Sequence, residues 1–70
     1  MRTSYREHLS AFAEDLQIMS DTVRTIMQYA SKALLDGSLD SAETALTEAD
    51  TLHEIRIRCE ERSMALLALE

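Results

Sequence analysis

The sequence predicts an all-α protein folded as an antiparallel two-helix hairpin. The 70-residue chain contains one Gly and no Pro, so most of it lacks any residue that breaks a helix. Apolar residues recur with gaps of three and four, which is the period of an α-helix. The single Gly37 interrupts this pattern. We therefore expect one unit over residues 1–70, with a helix at about 3–36, a turn at 37–40 and a helix at about 41–69.

The first predicted helix carries an uninterrupted heptad seam. A second apolar line, Ala13, Met27 and Leu34, lies beside this seam and predicts a buried face that is wider than a two-stranded coiled coil needs. More than one neighbour is therefore expected. The rod should be about 50 Å long at 1.5 Å per residue. The seam residues are Tyr5, Leu9, Phe12, Leu16, Met19, Val23, Ile26, Ala30 and Ala33.

The segment DGSLD predicts the break between the helices. Gly37 can adopt the left-handed conformation that ends a helix, and Asp40 is expected to cap the next helix with Glu43 at the third helical position. So short a link predicts antiparallel packing.

The second helix has a weaker seam, in which Arg56 and Ser63 interrupt the small and apolar residues. Arg56 can bury its stem and extend its charged end to solvent, or it can meet an acidic partner; the first outcome is the commoner one. Cys59 is interpreted as a packing residue, and its thiol suits a reducing compartment. The full seam is Ala42, Ala45, Ala49, Leu52, Arg56, Cys59, Ser63 and Leu66.

Composition excludes several classes of function. A net charge of −6 with scattered basic residues argues against nucleic acid or an anionic membrane as partner. No apolar run of roughly 18 residues or signal-peptide pattern is present, so a cytoplasmic protein is expected. No grouping of nucleophile, base and acid is visible, which predicts a protein that is not an enzyme. A chain of this size buries little apolar surface, so we expect self-association or a larger partner.

Asp50 and Glu54 are the only candidate ligand pair. They lie one helical turn apart, with Glu43 and Glu61 extending the same line, away from the seam. The favoured interpretation is a solvated face on which Glu54 pairs with Arg58. The alternative is a site for a hard cation, to which other helices contribute ligands. His53 lies three residues after Asp50, a weak match to the carboxylate-histidine spacing of di-iron bundles.

Apolar residues also remain outside the predicted seams. They are Ile55 and Ile57 on the second helix and the segment MALLAL near its end. A hairpin whose apolar residues exceed one shared stripe is expected to cover them with a partner surface.

The order of these segments resembles the N-terminal portion of the PhoU family. The resemblance is carried by MRTSYREHLSAFAEDLQIM, by Ala30, Ala33, Leu34 and Leu35, by DGSLDSAETALTEADTLHEI, and by SMALLALE. It covers essentially the whole chain. It implies a cytoplasmic regulator of phosphate uptake that links a phosphate ABC transporter to a phosphate-sensing histidine kinase and restrains the starvation response.

The resemblance also implies an architecture and a metal site. Family members are built from three-helix bundles, and by length this chain corresponds to the first two helices of one bundle, as a fragment or a short relative. Its open side is expected to pair with another copy. Some members bind iron or zinc through acidic motifs, and Asp50 and Glu54 occupy one such motif, with Glu54 where the family prefers Asp. A metal-binding bundle and a plain dimerisation hairpin are the alternative hypotheses.

Overall fold

The computed structural model describes the backbone of residues 2–69 and the side chains of residues 4–69. Helix α1 runs over Arg2–Asp36 and helix α2 over Leu39–Leu69. The helices pack along their length into a rod of 53 × 14 × 12 Å, so the predicted all-α hairpin is confirmed. Residues 1 and 70 of the predicted unit lie outside the described residues. Neither helix, as described, holds an apolar stretch able to cross a membrane.

The turn between the helices is shorter than the sequence predicts. Gly37 has φ +65°, the left-handed conformation expected at the end of α1. The Ser41 N–H donates to Ser38 Oγ at 3.1 Å, which makes Ser38 the N-cap of α2. The predicted cap at Asp40 is wrong, because α2 begins at Leu39 and already contains Asp40. Asp40 instead lies in the first turn of α2, where its negative charge interacts favourably with the positive end of the helix dipole.

Every second residue of each predicted seam lies at the helix interface. These residues are half-buried or buried and recur every seven positions, so both helices bury the same heptad position throughout. Cys59 is buried among them, as predicted. The line on α1 is Tyr5, Phe12, Met19, Ile26 and Ala33, and the line on α2 is Ala45, Leu52, Cys59 and Leu66.

The other predicted line is only partly correct: Ala30 of α1 and Ala42 and Ser63 of α2 are half-buried, but its remaining five residues are exposed. On α1, Leu9, Leu16 and Val23 are exposed, and the residues that precede them face α2 instead. On α2, Ala49 and Arg56 are exposed, and again the preceding residues are covered. Each helix is therefore rotated by one residue from the predicted packing. The inward residues are His8, Asp15 and Thr22 on α1 and Ser41, Glu48, Ile55 and Arg62 on α2.

Ile55 is the clearest consequence of this rotation. The sequence analysis places Ile55 outside the seam. In the structure it is only 4% exposed, which makes it the most buried apolar residue described. Ile57, two residues on, is 41% exposed. The core therefore lies where Ile55 and Cys59 of α2 meet the middle of α1.

Candidate docking face

The predicted metal ligands lie away from the helix interface. Asp50 and Glu54 are exposed on α2, one turn apart. Within the described residues, neither carboxylate forms an ion pair. The predicted pair between Glu54 and Arg58 is wrong, because Arg58 turns towards α1 and places Nη1 3.9 Å from Asp15 Oδ1.

The surroundings of this pair supply no third ligand. His53 Nδ1 accepts a hydrogen bond from Arg56 Nη2 at 3.1 Å, so that ring nitrogen is already engaged. Across the part of the chain that the structure describes, no group of three His, Cys, Asp or Glu residues is placed to hold a metal ion. Asp50 and Glu54 alone offer too few oxygens to complete a coordination sphere.

Asp15 is the central polar residue of the helix interface. Its side chain is 7% exposed, and its Oδ2 accepts a hydrogen bond from Arg62 Nε at 2.9 Å. Arg58 approaches the other carboxylate oxygen from one turn earlier on α2. A buried carboxylate needs such partners, because loss of hydration without compensation is costly. We call these three residues the Asp15 clasp.

The clasp requires the observed rotation of both helices. Asp15 reaches Arg62 only when it lies on the inward side of α1, which turns Leu16 outward. Arg62 and Ile55 share one side of α2, so the same rotation buries Ile55 and exposes Arg56. The observed packing thus combines this polar contact with the burial of Ile55 and leaves the longest apolar stripe partly exposed.

Sequence reasoning missed the clasp, although a signal for it exists. Asp15 lies 22 residues before Gly37, and Glu60 lies 22 residues after Ser38. In an antiparallel hairpin these positions are level, which places Asp15 between Arg58 and Arg62. Because Arg58 and Arg62 lie one turn apart, both can reach one carboxylate.

The rotation leaves one side of the hairpin apolar and uncovered. Leu9, Leu16 and Val23 each follow an interface residue by four positions, whereas Asp15 follows one by three, so they flank opposite sides of the interface. On the leucine side, Phe12, Met19, Arg56, Cys59, Glu60, Ser63 and Met64 line a shallow groove between the helices. We define the open face as the exposed apolar residues along this side: Leu9, Leu16, Val23, Met27, Leu46, Ile57, Met64 and Leu67.

A second apolar patch lies at the turn. Leu34, Leu35 and Leu39 are each at least 80% exposed, more than any other large apolar residue described. Asp36 and Asp40 flank them in sequence and are also exposed. We call these three leucines the leucine tip. Isolated exposed leucines are ordinary, but three around one turn form a patch that suits a partner.

Curated proteins in mycobacteria are similar to the chain over all of its 70 residues. A protein of Mycobacterium leprae named phosphate-specific transport system accessory protein PhoU homolog 1 is 37% identical to it. Proteins named PhoU homolog 2 in Mycobacterium bovis and Mycobacterium tuberculosis are 36% identical. The chain spans about one third of their length, 32% of the first and 33% of the others.

These similarities confirm the family resemblance that the sequence predicts. No family model matches the chain. No solved structure matches it significantly.

Proposed function

We propose that this relative of the PhoU homologues takes part in the control of phosphate uptake and of phosphate-starvation signalling. It works in the cytoplasm as an adaptor, through protein contacts rather than catalysis. Its partners are a phosphate-sensing histidine kinase and a phosphate ABC transporter, and it also contacts itself. The observation that carries this proposal is apolar surface in excess of what the two helices bury against each other.

The leucine tip supports contact with a heterologous partner. Its side chains project from the end of the rod, where neither helix of the hairpin can cover them. Exposed Asp36 and Asp40 beside them favour an apolar pocket with a basic rim, since complementary charges orient and accelerate association.

A binding experiment with variants of the tip tests this function. We expect the chain to bind the cytoplasmic part of the kinase or of the transporter. Leu35→Glu should weaken that binding at least tenfold, because a side chain that is buried in the complex becomes an unpaired charge. Ile18→Glu is the matched control, since it adds the same charge to α1, the helix that carries Leu35, at an exposed apolar residue far from the tip. Binding of neither partner, or equal loss in both variants, would leave only a plain dimerisation hairpin.

A metal site at Asp50 and Glu54 is a second candidate function. The observation in its favour is that Arg58 pairs with Asp15 and not with Glu54. Within the described residues, Asp50 and Glu54 are therefore exposed and form no ion pair. Further oxygen ligands must then come from another copy or another protein. Iron or zinc is the metal implied by the family resemblance.

Metal analysis tests this second candidate. If the site exists, protein purified without chelator carries iron or zinc, and the Asp50→Ala/Glu54→Ala variant loses it. Glu43→Ala/Glu61→Ala is the control, because it removes two other exposed carboxylates from α2. Equal metal content in all three proteins would remove the site.

A further inference from the structure

We infer that the outer face of α2 docks a basic amphipathic helix of a partner protein. The outer face consists of two lines of exposed residues on the side of α2 that points away from α1. The acidic line is Glu43, Asp50, Glu54 and Glu61, and the apolar line is Leu46, Ile57 and Met64. The inference goes beyond the proposed function, which assigns the kinase and the transporter to the leucine tip and treats Asp50 and Glu54 only as metal ligands.

The outer face lies opposite the helix interface. One residue turns an α-helix by about 100°, so Ile57, two positions after the buried Ile55, points to nearly the opposite side of α2. Met64 follows Ile57 by two helical turns and therefore lies on the same side. A further helix that packs beside both α1 and α2 contacts the flanks of their interface. The outer face therefore stays accessible whether or not such a helix is present.

The charges of this face have one sign. The arginines of α2 are engaged elsewhere, because Arg56 Nε lies 3.7 Å from Glu60 Oε1 while Arg58 and Arg62 both approach Asp15. Within residues 4–69, the four carboxylates of the acidic line form no ion pair. Like charges one helical turn apart, such as those of Asp50 and Glu54, repel each other. Cationic side chains of a partner would relieve this repulsion.

The two lines together specify the chemistry of the occupant. The acidic line extends about 27 Å from Glu43 to Glu61 at 1.5 Å per residue. A helix of similar length that carries a basic stripe beside an apolar stripe matches both lines at once. A free cation would use the carboxylates but leave Ile57 and Met64 uncovered. A second copy of this chain, with its net charge of −6, would be repelled.

A synthetic peptide tests the inference. The probe is a fluorescent helical peptide of about 18 residues, the length of the acidic line, with leucines along one stripe and lysines beside them. We expect it to bind the 70-residue chain, in the presence of a chelator, at least about tenfold more tightly than a peptide of the same composition whose leucines are spread around the helix. Equal affinity for both peptides would reveal only non-specific charge attraction and would overturn the inference.

Two matched pairs of variants assign the peptide to the outer face. Glu43→Gln/Glu61→Gln should raise its dissociation constant at least about fivefold, whereas Glu7→Gln/Glu14→Gln, which removes two exposed carboxylates from α1, should change it less than about twofold. Ile57→Ser should also weaken binding. Ile18→Ser should not, although Ile57 and Ile18 are 41% and 43% exposed. Equal effects within either pair would place the peptide elsewhere and refute the assignment.

The result is separable from the proposed function. The peptide experiment uses neither the kinase nor the transporter, so failure of those partners to bind leaves it unchanged. Glu43 and Glu61 are also the control positions of the metal analysis, so weaker peptide binding in their variant does not report a lost metal. Added salt should weaken the peptide complex, because it screens attraction between opposite charges. A complex that salt strengthens would contradict a basic occupant.

Discussion

Replacing Ile55 with alanine is expected to lower the free energy of unfolding by about 2–3 kcal/mol, the lower part of the range for large-to-small core substitutions. Ile55 is the most buried apolar residue described, at the centre of a core only two helices thick. A cavity there is poorly refilled, because only two helices surround it. Urea unfolding followed by circular dichroism measures the loss.

Ile57→Ala is the matched control for this prediction. It removes the same atoms from the same helix two residues further on, at a position that is 41% exposed rather than 4%. Its effect should stay within about 0.5 kcal/mol. Both variants must be compared at one protein concentration, because self-association couples to folding. Equal losses would mean that α2 is not rotated as described and that Ile55 does not form the core.

Replacing Asp15 with alanine is expected to destabilise the hairpin by about 1–3 kcal/mol, because it leaves the Arg62 guanidinium without its acceptor. Arg62 is 27% exposed, so water compensates part of the loss. The matched control is Asp21→Ala, which removes an exposed carboxylate 3.7 Å from Arg24 on the same helix. Exposed pairs of this kind contribute roughly 0–1 kcal/mol. Thermal unfolding of both variants separates the two effects.

A double variant identifies the origin of the loss at Asp15. In Asp15→Leu/Arg62→Leu no unpaired charge remains, and replacement of a buried ion pair by apolar residues is often neutral or stabilising. We therefore expect the double variant to be more stable than Asp15→Ala. Without the clasp, however, the rotation of the helices is no longer fixed, and self-association should weaken. A double variant that is as unstable as Asp15→Ala would contradict this role of the clasp.

The hairpin could be predicted from the sequence because its determinants are local. The single Gly37 and the three-four spacing of apolar residues fix two helices and a turn. The half of each seam that contains Phe12 and Cys59 was also predictable, since these residues belong to the apolar stripe in either rotation.

The rotation could not be predicted from that stripe. Leu9, Leu16 and Val23 are better core residues than His8, Asp15 and Thr22, so hydrophobicity alone favours the wrong line. The observed rotation instead pairs Asp15 with Arg62, 47 residues away, and buries Ile55, and neither contact is visible in the spacing of the stripe. The N-cap of α2 is Ser38 and not the predicted Asp40, because α2 begins soon after the left-handed residue Gly37.

The candidate site also has one part that the sequence predicts and one part that it does not. The positions of Asp50 and Glu54 on an exposed helix surface follow from helical spacing alone. The open face does not, because it depends on which leucines the clasp turns outward. Because of the same rotation, Ile55 lies in the core, although the sequence analysis assigns it to a partner surface.

The central claim is that the clasp leaves an apolar face which a second copy covers. Sedimentation velocity of the unmodified chain across a dilution series tests it most directly. We expect a dimer that dissociates on dilution, with helix content falling in parallel as the open face loses its cover. A compact, fully helical monomer at every concentration would contradict it.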